Sequence, residues 1–294
     1  MSKIEYISKN FKAASLDLIS QANDIIEEYQ AQGFSLTLRQ LYYQFVSRDL
    51  IANKQSEYKR LGSIISDGRL AGLIDWEAIE DRTRELKKLT HWTDPGSIVR
   101  AAARGFRVDH WEGQAIRPEV WIEKEALVGV IKDVCERLDV AYFACKGYVS
   151  QSEMWKASQR YKGRADYGQE TVIIHLGDHD PSGVDMTRDI GDRQDLFEAL
   201  GCDVQRIALT MDQINQYSPP PNPAKLTDSR ATDYINSYGT NSWELDALEP
   251  RVLSDLIADK VMGYRDESIL ADVLEKERKY KAILARVESG WETL

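Results

Sequence analysis

Three carboxylates define the chemistry this chain can carry. Glu123 ends the β-prone run Glu119–Ile122 that follows Pro118, and a helix-like run begins at once, at Ala126. Asp178 and Asp180 lie in Gly177–Asp178–His179–Asp180–Pro181–Ser182–Gly183, just past a second β-prone run, Thr171–Leu176. Alternate residues of an extended segment project the same way, so Asp178 and Asp180 are expected to point together while His179 faces elsewhere. Acids at the tips of two strands suit a hard divalent cation. Magnesium takes oxygen ligands and keeps several waters, so it fits such a set better than zinc. Glu125 and Asp185 are candidates for outer or second-ion ligands, and Lys124, Lys146 and Arg188 for phosphate contacts. His175 and His179 read as structural.

A second group lies upstream, in Leu38–Arg39–Gln40–Leu41–Tyr42–Tyr43. A tyrosine hydroxyl with a pKa of ~10 is protonated at neutral pH and needs a base or an electropositive setting before it attacks phosphate. Arg39 precedes Tyr43 by four residues, which puts both side chains on one face of a helix. A plainer reading stands beside this one. Tyr42 and Tyr43 sit among Leu38, Leu41, Phe45 and Val46, a pattern typical of a packed helix.

The elements that must position these groups fall into two sets. Phe11–Gln30, Leu38–Val46 with Thr37 as its cap, and Tyr58–Leu70 read as helices, and Ile74–Arg84 as a short strand or wing. Three helices and a β excursion are compatible with a winged helix-turn-helix, whose third helix would offer Arg60 and Arg69 to a DNA backbone. Thr90–Gly113 is interrupted by Pro95, Gly96, Gly105 and Gly113 and reads as a connection, with helix possible over Ile98–Ala103. Beyond it strands and helices alternate: Glu119–Ile122, Ala126–Leu138, Val140–Ala144, Ser152–Arg160, Thr171–Leu176, Val184–Ala199 and Val204–Ala208. That alternation predicts an α/β fold with a mostly parallel sheet, whose ligands sit past the carboxyl ends of its strands. The four prolines among Gln216–Pro223 predict an extended surface loop. Trp243–Leu248 reads as the packed entry to a helix reaching Lys260, and Asp266–Val287 as a charged C-terminal helix. The expected division is residues 1–95, a connection at 96–117, and an α/β unit with a helical extension at 118–294.

Charge complicates any encounter with nucleic acid. The chain carries 38 Lys and Arg against 48 Asp and Glu, a net of −10. Residues 1–110 hold 16 basic and 15 acidic side chains, so the excess negative charge lies in the remainder. Nucleic-acid binding would therefore depend on a local basic face. Cys135, Cys145 and Cys202 lack metal-ligand spacing and read as free thiols of a reducing cytoplasm. No run approaches the roughly 18 apolar residues of a membrane span.

Taken together, Glu123 at a strand end, the Asp178–His179–Asp180–Pro181–Ser182–Gly183 run and the upstream tyrosine motif resemble the A subunit of type IIB topoisomerases and the related meiotic break-forming proteins. Compact forms from phages, plasmids and bacterial chromosomes are similar in size. The resemblance spans about residues 35–210 and implies a winged-helix domain followed by a Toprim domain. It implies Tyr43 as nucleophile, beside which the helix spacing places Arg39 to neutralise the phosphate or the developing phenolate, and it implies Glu123, Asp178 and Asp180 as magnesium ligands. It further implies double-stranded DNA as substrate and a homodimer in which each tyrosine meets the partner's metal site. The topoisomerases of the family need a separate ATPase subunit; this chain contains no Gly-rich loop ending in Lys–Ser/Thr. The segment Lys146–Gly147–Tyr148–Val149–Ser150–Gln151–Ser152–Glu153 departs from the further acidic site such domains often carry. Two other readings stay open: a Toprim nuclease using metal-activated water, and a DNA-binding or assembly protein without chemistry. A primase is disfavoured, since no zinc-binding cysteine set is present.

Overall fold

The computed structural model describes residues 3–80 and 89–291. The N-terminal region is helical: α1 (Ala13–Ala31), α2 (Leu38–Ser47) and α3 (Gln55–Leu70). α1 buries Leu18, Ile19, Ala22, Ile25, Ile26 and Tyr29, the stripe expected of a helix with one face on a core. α2 starts as its sequence dictates. The Thr37 hydroxyl accepts from the Gln40 amide at 3.2 Å, and the Gln40 side chain accepts from the Thr37 amide at 2.8 Å. Leu41, Phe45, Leu61, Ile65, Ile74 and Ile79 close the core among these helices. The strand or wing expected over Ile74–Arg84 is not formed as far as Glu80; Leu36 and Ile79 make one isolated parallel bridge. Its remainder, with Arg82 and Arg84, lies outside the described residues.

The connection is more ordered than its glycines and proline suggest. Pro95–Gly105 forms α4, capped by Asp94, whose carboxylate accepts from the Ser97 amide at 2.8 Å. Pro95 sits in the first turn, where its missing N–H removes nothing a helix uses.

The sheet follows. Its elements are β1 (Ile116–Ile122), a 3-10 turn at Glu125–Leu127, α5 (Val128–Leu138), β2 (Ala141–Ala144), α6 (Gln151–Ala165), β3 (Glu170–Leu176), α7 (Pro181–Leu196) and β4 (Cys202–Ala208). All pairs are parallel, in the order β2-β1-β3-β4. Strand alternation splits the core into two layers. Val120, Ile122, Val172, Ile174 and Leu176 pack with α5, whereas Trp121 and Ile173 pack with Met154, Ala157 and Tyr161 of α6 and Ile190 of α7. The chain leaves β1 toward β2 on one side and leaves β3 toward β4 on the other. The crevice between the tips of β1 and β3 is thus the topological switch point, where ligands of such sheets sit.

Beyond β4 come α8 (Met211–Tyr217), β5 (Asn222–Pro223), α9 (Ala231–Tyr238), β6 (Asn241–Ser242), α10 (Pro250–Met262) and α11 (Glu267–Trp291). The proline-rich loop therefore ends in a short antiparallel ladder, Asn222 opposite Ser242. Trp243–Leu248 does not open the following helix. It forms an isolated bridge and then a 3-10 turn, and α10 begins only at Pro250, which has no amide to donate to a preceding turn. α11 returns along α4, with Phe106 edge-on to Tyr280 at 6.0 Å and Glu277 accepting from the Val108 amide at 2.9 Å. No helix among the described residues is long and apolar enough to cross a membrane.

Candidate metal centre and tyrosine cleft

The tips of β1 and β3 meet through a carboxylate. Glu123 Oε2 accepts from the Asp178 amide at 2.8 Å, so this acid braces the turn as well as facing the crevice. The turn requires glycine. A Cβ on Gly183 would stand 2.2 Å from the Asp178 carbonyl oxygen, and one on Gly177 would stand 2.9 Å from Glu123 Oε2. Asp180 caps α7 by accepting from the Gly183 amide at 2.6 Å. Beneath the turn, the buried Arg206 guanidinium donates to the carbonyls of Gly177 (2.8 Å), Asp178 (2.5 Å), Gly183 (2.8 Å) and Leu209 (3.1 Å). Arg206 was not anticipated from sequence; an arginine in an edge strand carries no local mark of that task.

Asp178 belongs to a second group as well. Among the described residues, Asp178, Glu244 and Asp246 bring ligand oxygens all within 4.8 Å of one another. The compact acidic triad thus shares Asp178 with the expected Glu123–Asp178–Asp180 set and adds two acids that the sequence reading did not include. Glu244 and Asp246 arrive through backbone pairing. His179 and Trp243 exchange amide–carbonyl bonds at 2.8 and 2.9 Å, which lays the following residues over Asp178, and the Leu245 amide donates to Asp178 Oδ1 at 2.8 Å. Trp243–Leu248, expected to serve packing, therefore supplies two acids. His179 stays structural, with Nδ1 on the Tyr234 hydroxyl at 2.8 Å and its pKa lowered to about 4 by burial and by Arg206.

Lys124 sits inside the triad. Its ammonium lies 2.8 Å from Asp178 Oδ1, 2.7 Å from Glu244 Oε2 and 2.6 Å from Asp246 Oδ2. Burial alone would depress its pKa, but the three carboxylates raise it above that of an ordinary lysine. Burial, joined by Asp178's charge, raises the pKa of Glu123. Burial likewise raises Asp178, against the pull of Lys124. Asp246 is buried, and its Oδ1 has no hydrogen-bond partner. Hard oxygen donors, one of them unsatisfied, fit the divalent cation that the sequence implies. A buried acidic triad able to hold such an ion is thus present, and the ion's identity is not fixed by these donors.

Tyr43 lines a cleft of about 370 Å³ together with Arg39, Asp180, Asn222 and Glu244. Arg39 pairs with Glu244, lies 3.7 Å from Asp246 and holds its guanidinium carbon 5.9 Å from the centre of the Tyr43 ring, as the four-residue spacing predicts. Tyr43 is only 4% exposed, and its hydroxyl accepts from the Asn222 side chain at 3.4 Å. Burial and the charge of Glu244 push the phenol up to about 12, against Asn222, Arg39 and Lys124. Tyr42 lines the same cleft, with its hydroxyl donating to Asn53 at 2.9 Å.

The side chains of the remaining candidates are engaged with other partners. Lys146 pairs with Glu125 at 2.7 Å on the surface. Asp185 takes the Tyr148 hydroxyl at 2.6 Å and pairs with Arg188 at 2.6 Å and Arg230 at 3.0 Å. Arg60 pairs with Glu57 along α3, and Arg69 donates to the Trp76 carbonyl at 2.5 Å and stacks on its ring, so both have partners within the chain. Comparison with known protein families, curated proteins and solved structures gave no significant match.

Proposed function

We propose that this chain is a magnesium-dependent, DNA-cleaving enzyme of the type IIB topoisomerase A-subunit kind, with its helical N-terminal region acting as the winged-helix unit and its sheet as the Toprim unit. The observation that carries this reading is that one cleft is lined by Tyr43, Arg39, Asp180 and Glu244, joining a phenol, a guanidinium and the edge of the acidic centre. In the reaction, the Tyr43 oxygen attacks a backbone phosphorus and the bond from phosphorus to the 3′ oxygen breaks. The phenolic proton ends on that departing oxygen, leaving a 3′ hydroxyl and a 5′-phosphotyrosine link. Arg39 offsets the charge gathering on phosphate and on the phenolic oxygen. Asp178, Glu244 and Asp246 would hold magnesium, with Glu123 and Asp180 alongside. When bound, the ion supplies charge neutralisation at the phosphate. The working form is a homodimer acting on double-stranded DNA, and strand passage calls on a separate ATPase subunit.

A second reading has one observation in its favour. A phenol this buried, with a pKa near 12, is poorly prepared as a nucleophile, which suits a nuclease that hydrolyses with metal-activated water. One experiment separates the two. Wild-type and Tyr43→Phe proteins are incubated with supercoiled plasmid and an end-labelled duplex in magnesium, then quenched with denaturant. Transesterification predicts protein-linked 5′ ends in wild type and neither adduct nor cleavage in Tyr43→Phe. Adduct-free cleavage that survives in Tyr43→Phe establishes the hydrolytic reading.

A further inference from the structure

Lys124 presents a competition that the proposed chemistry leaves unused. Its ammonium is bound by one oxygen from each of Asp178, Glu244 and Asp246, the same three acids whose oxygens converge tightly enough for a metal ion. It occupies the middle of the triad at 2.6–2.8 Å, bringing one positive charge to three negative ones. Arg39 reaches only the rim, through Glu244 and, at 3.7 Å, Asp246. Asp246 Oδ1 is left buried without a partner, so the lysine satisfies this carboxylate incompletely. A divalent ion could not share those oxygens with an ammonium a few ångströms away without strong repulsion. The lysine stem is long and flexible, however, and its side chain keeps 19% of its surface exposed, so it has a route out.

We propose that Lys124 is a tethered counter-cation that competes with the divalent metal for Asp178, Glu244 and Asp246, and that metal entry displaces its ammonium into the crevice, where it can meet a substrate phosphate. The charge of the metal-free centre is thereby partly offset and its acids are held together, and phosphate gains a second cation only after the metal is in place. This inference rests on the metal-binding part of the proposed function and not on Tyr43.

The test is made without DNA. Manganese is titrated calorimetrically into wild type and Lys124→Met, and melting is followed with and without the ion. Removing the competitor should tighten manganese binding by about tenfold or more, the scale of one charge-assisted contact. Metal-free Lys124→Met should melt below metal-free wild type, and saturating manganese should narrow the difference. In wild type, acetylation of Lys124 by acetic anhydride, read by mass spectrometry, should quicken when manganese is bound. That measurement carries the test if Lys124→Met fails to fold without metal. Unchanged or weaker binding in a folded Lys124→Met, no manganese binding by wild type, or metal occupancy that leaves Lys124 acetylation unaltered each overturns the proposal. If binding tightens but no preparation cleaves DNA, both DNA-cleaving readings fall while the role of Lys124 stands.

Discussion

Replacing Tyr42 and Tyr43 one at a time by phenylalanine separates a hydroxyl that supports the fold from one reserved for chemistry. The Tyr42 hydroxyl donates to Asn53 Oδ1 at 2.9 Å, with the Lys54 carbonyl at 3.3 Å as a second acceptor. A well-formed neutral hydrogen bond contributes about 1 kcal/mol net, so Tyr42→Phe should cost about that much. The Tyr43 hydroxyl has Asn222 at 3.4 Å, beyond the ~3.2 Å limit of a good N–H···O contact. It is also buried, which makes it costly to keep. Tyr43→Phe should therefore change stability by no more than about 0.5 kcal/mol, because the weak bond lost is offset by a smaller desolvation cost. Both rings remain, so the edge-on packing of Tyr42 on Tyr43 (5.2 Å between centres) and on Tyr58 (5.3 Å) is kept. Urea unfolding followed by tryptophan fluorescence resolves a difference of this size, provided the slopes of the three proteins agree. If Tyr43→Phe loses as much stability as Tyr42→Phe, or more, its hydroxyl is structural. The energetic case for a chemical role then fails whatever happens to activity.

Two further predictions concern the frame around the site. The Glu119 carboxylate is 3% exposed and binds the Tyr161 hydroxyl at 2.8 Å, Arg160 at 2.9 Å and Arg164 at 2.8 Å. Burial would raise its pKa, but Arg160 and Arg164 hold it below the usual carboxylate range. Glu119→Ala should cost about 3 kcal/mol, the low end for a broken buried pair because Arg160 can turn to water; a loss under about 1 kcal/mol in urea unfolding would contradict this. Glu277 ties α11 to the segment after α4 and is lowered to about 2 by Lys281 and the Val108 amide, with His110 assisting against burial. A depressed acid stabilises the fold above its unfolded value near 4.5 and loses that effect as pH falls toward 2. The melting difference between wild type and Glu277→Gln should accordingly shrink over that window, and a difference that stays constant refutes the assignment.

How much of this was legible in the sequence depended on whether the signal was local. The parallel strands read as apolar runs, and their alternation with helices predicted a parallel sheet but not the order β2-β1-β3-β4, which long-range pairing sets; β1, β3 and β4 begin three, one and two residues before the expected starts. Thr37 as a cap and the Arg39–Tyr43 pairing are also local, because a helix sets them within four residues. α4 was underestimated because its glycines and proline lie at ends where helices tolerate them, while the decisive Asp94–Ser97 cap lies just before. Glu244 and Asp246 had no such mark. They reach Asp178 through the His179–Trp243 pairing, made between segments far apart in sequence, and apolar neighbours made their stretch look like the start of a helix.

The two kinds of acid also do different work, which explains why only one kind shows in the pattern. Glu123 and Asp180 each accept from a backbone amide, that of Asp178 and that of Gly183, and so shape the turn after β3, from which Asp180 itself projects. Residues that shape a turn come with turn chemistry around them, here Gly177, Pro181 and Gly183, and that chemistry is readable. Glu244 and Asp246 shape nothing locally; both bind the Lys124 ammonium, and their positions make sense only against that charge. A cation, whether the lysine or a metal ion, is therefore what turns three separate acids into one site, and the strand tips are what make the site accessible.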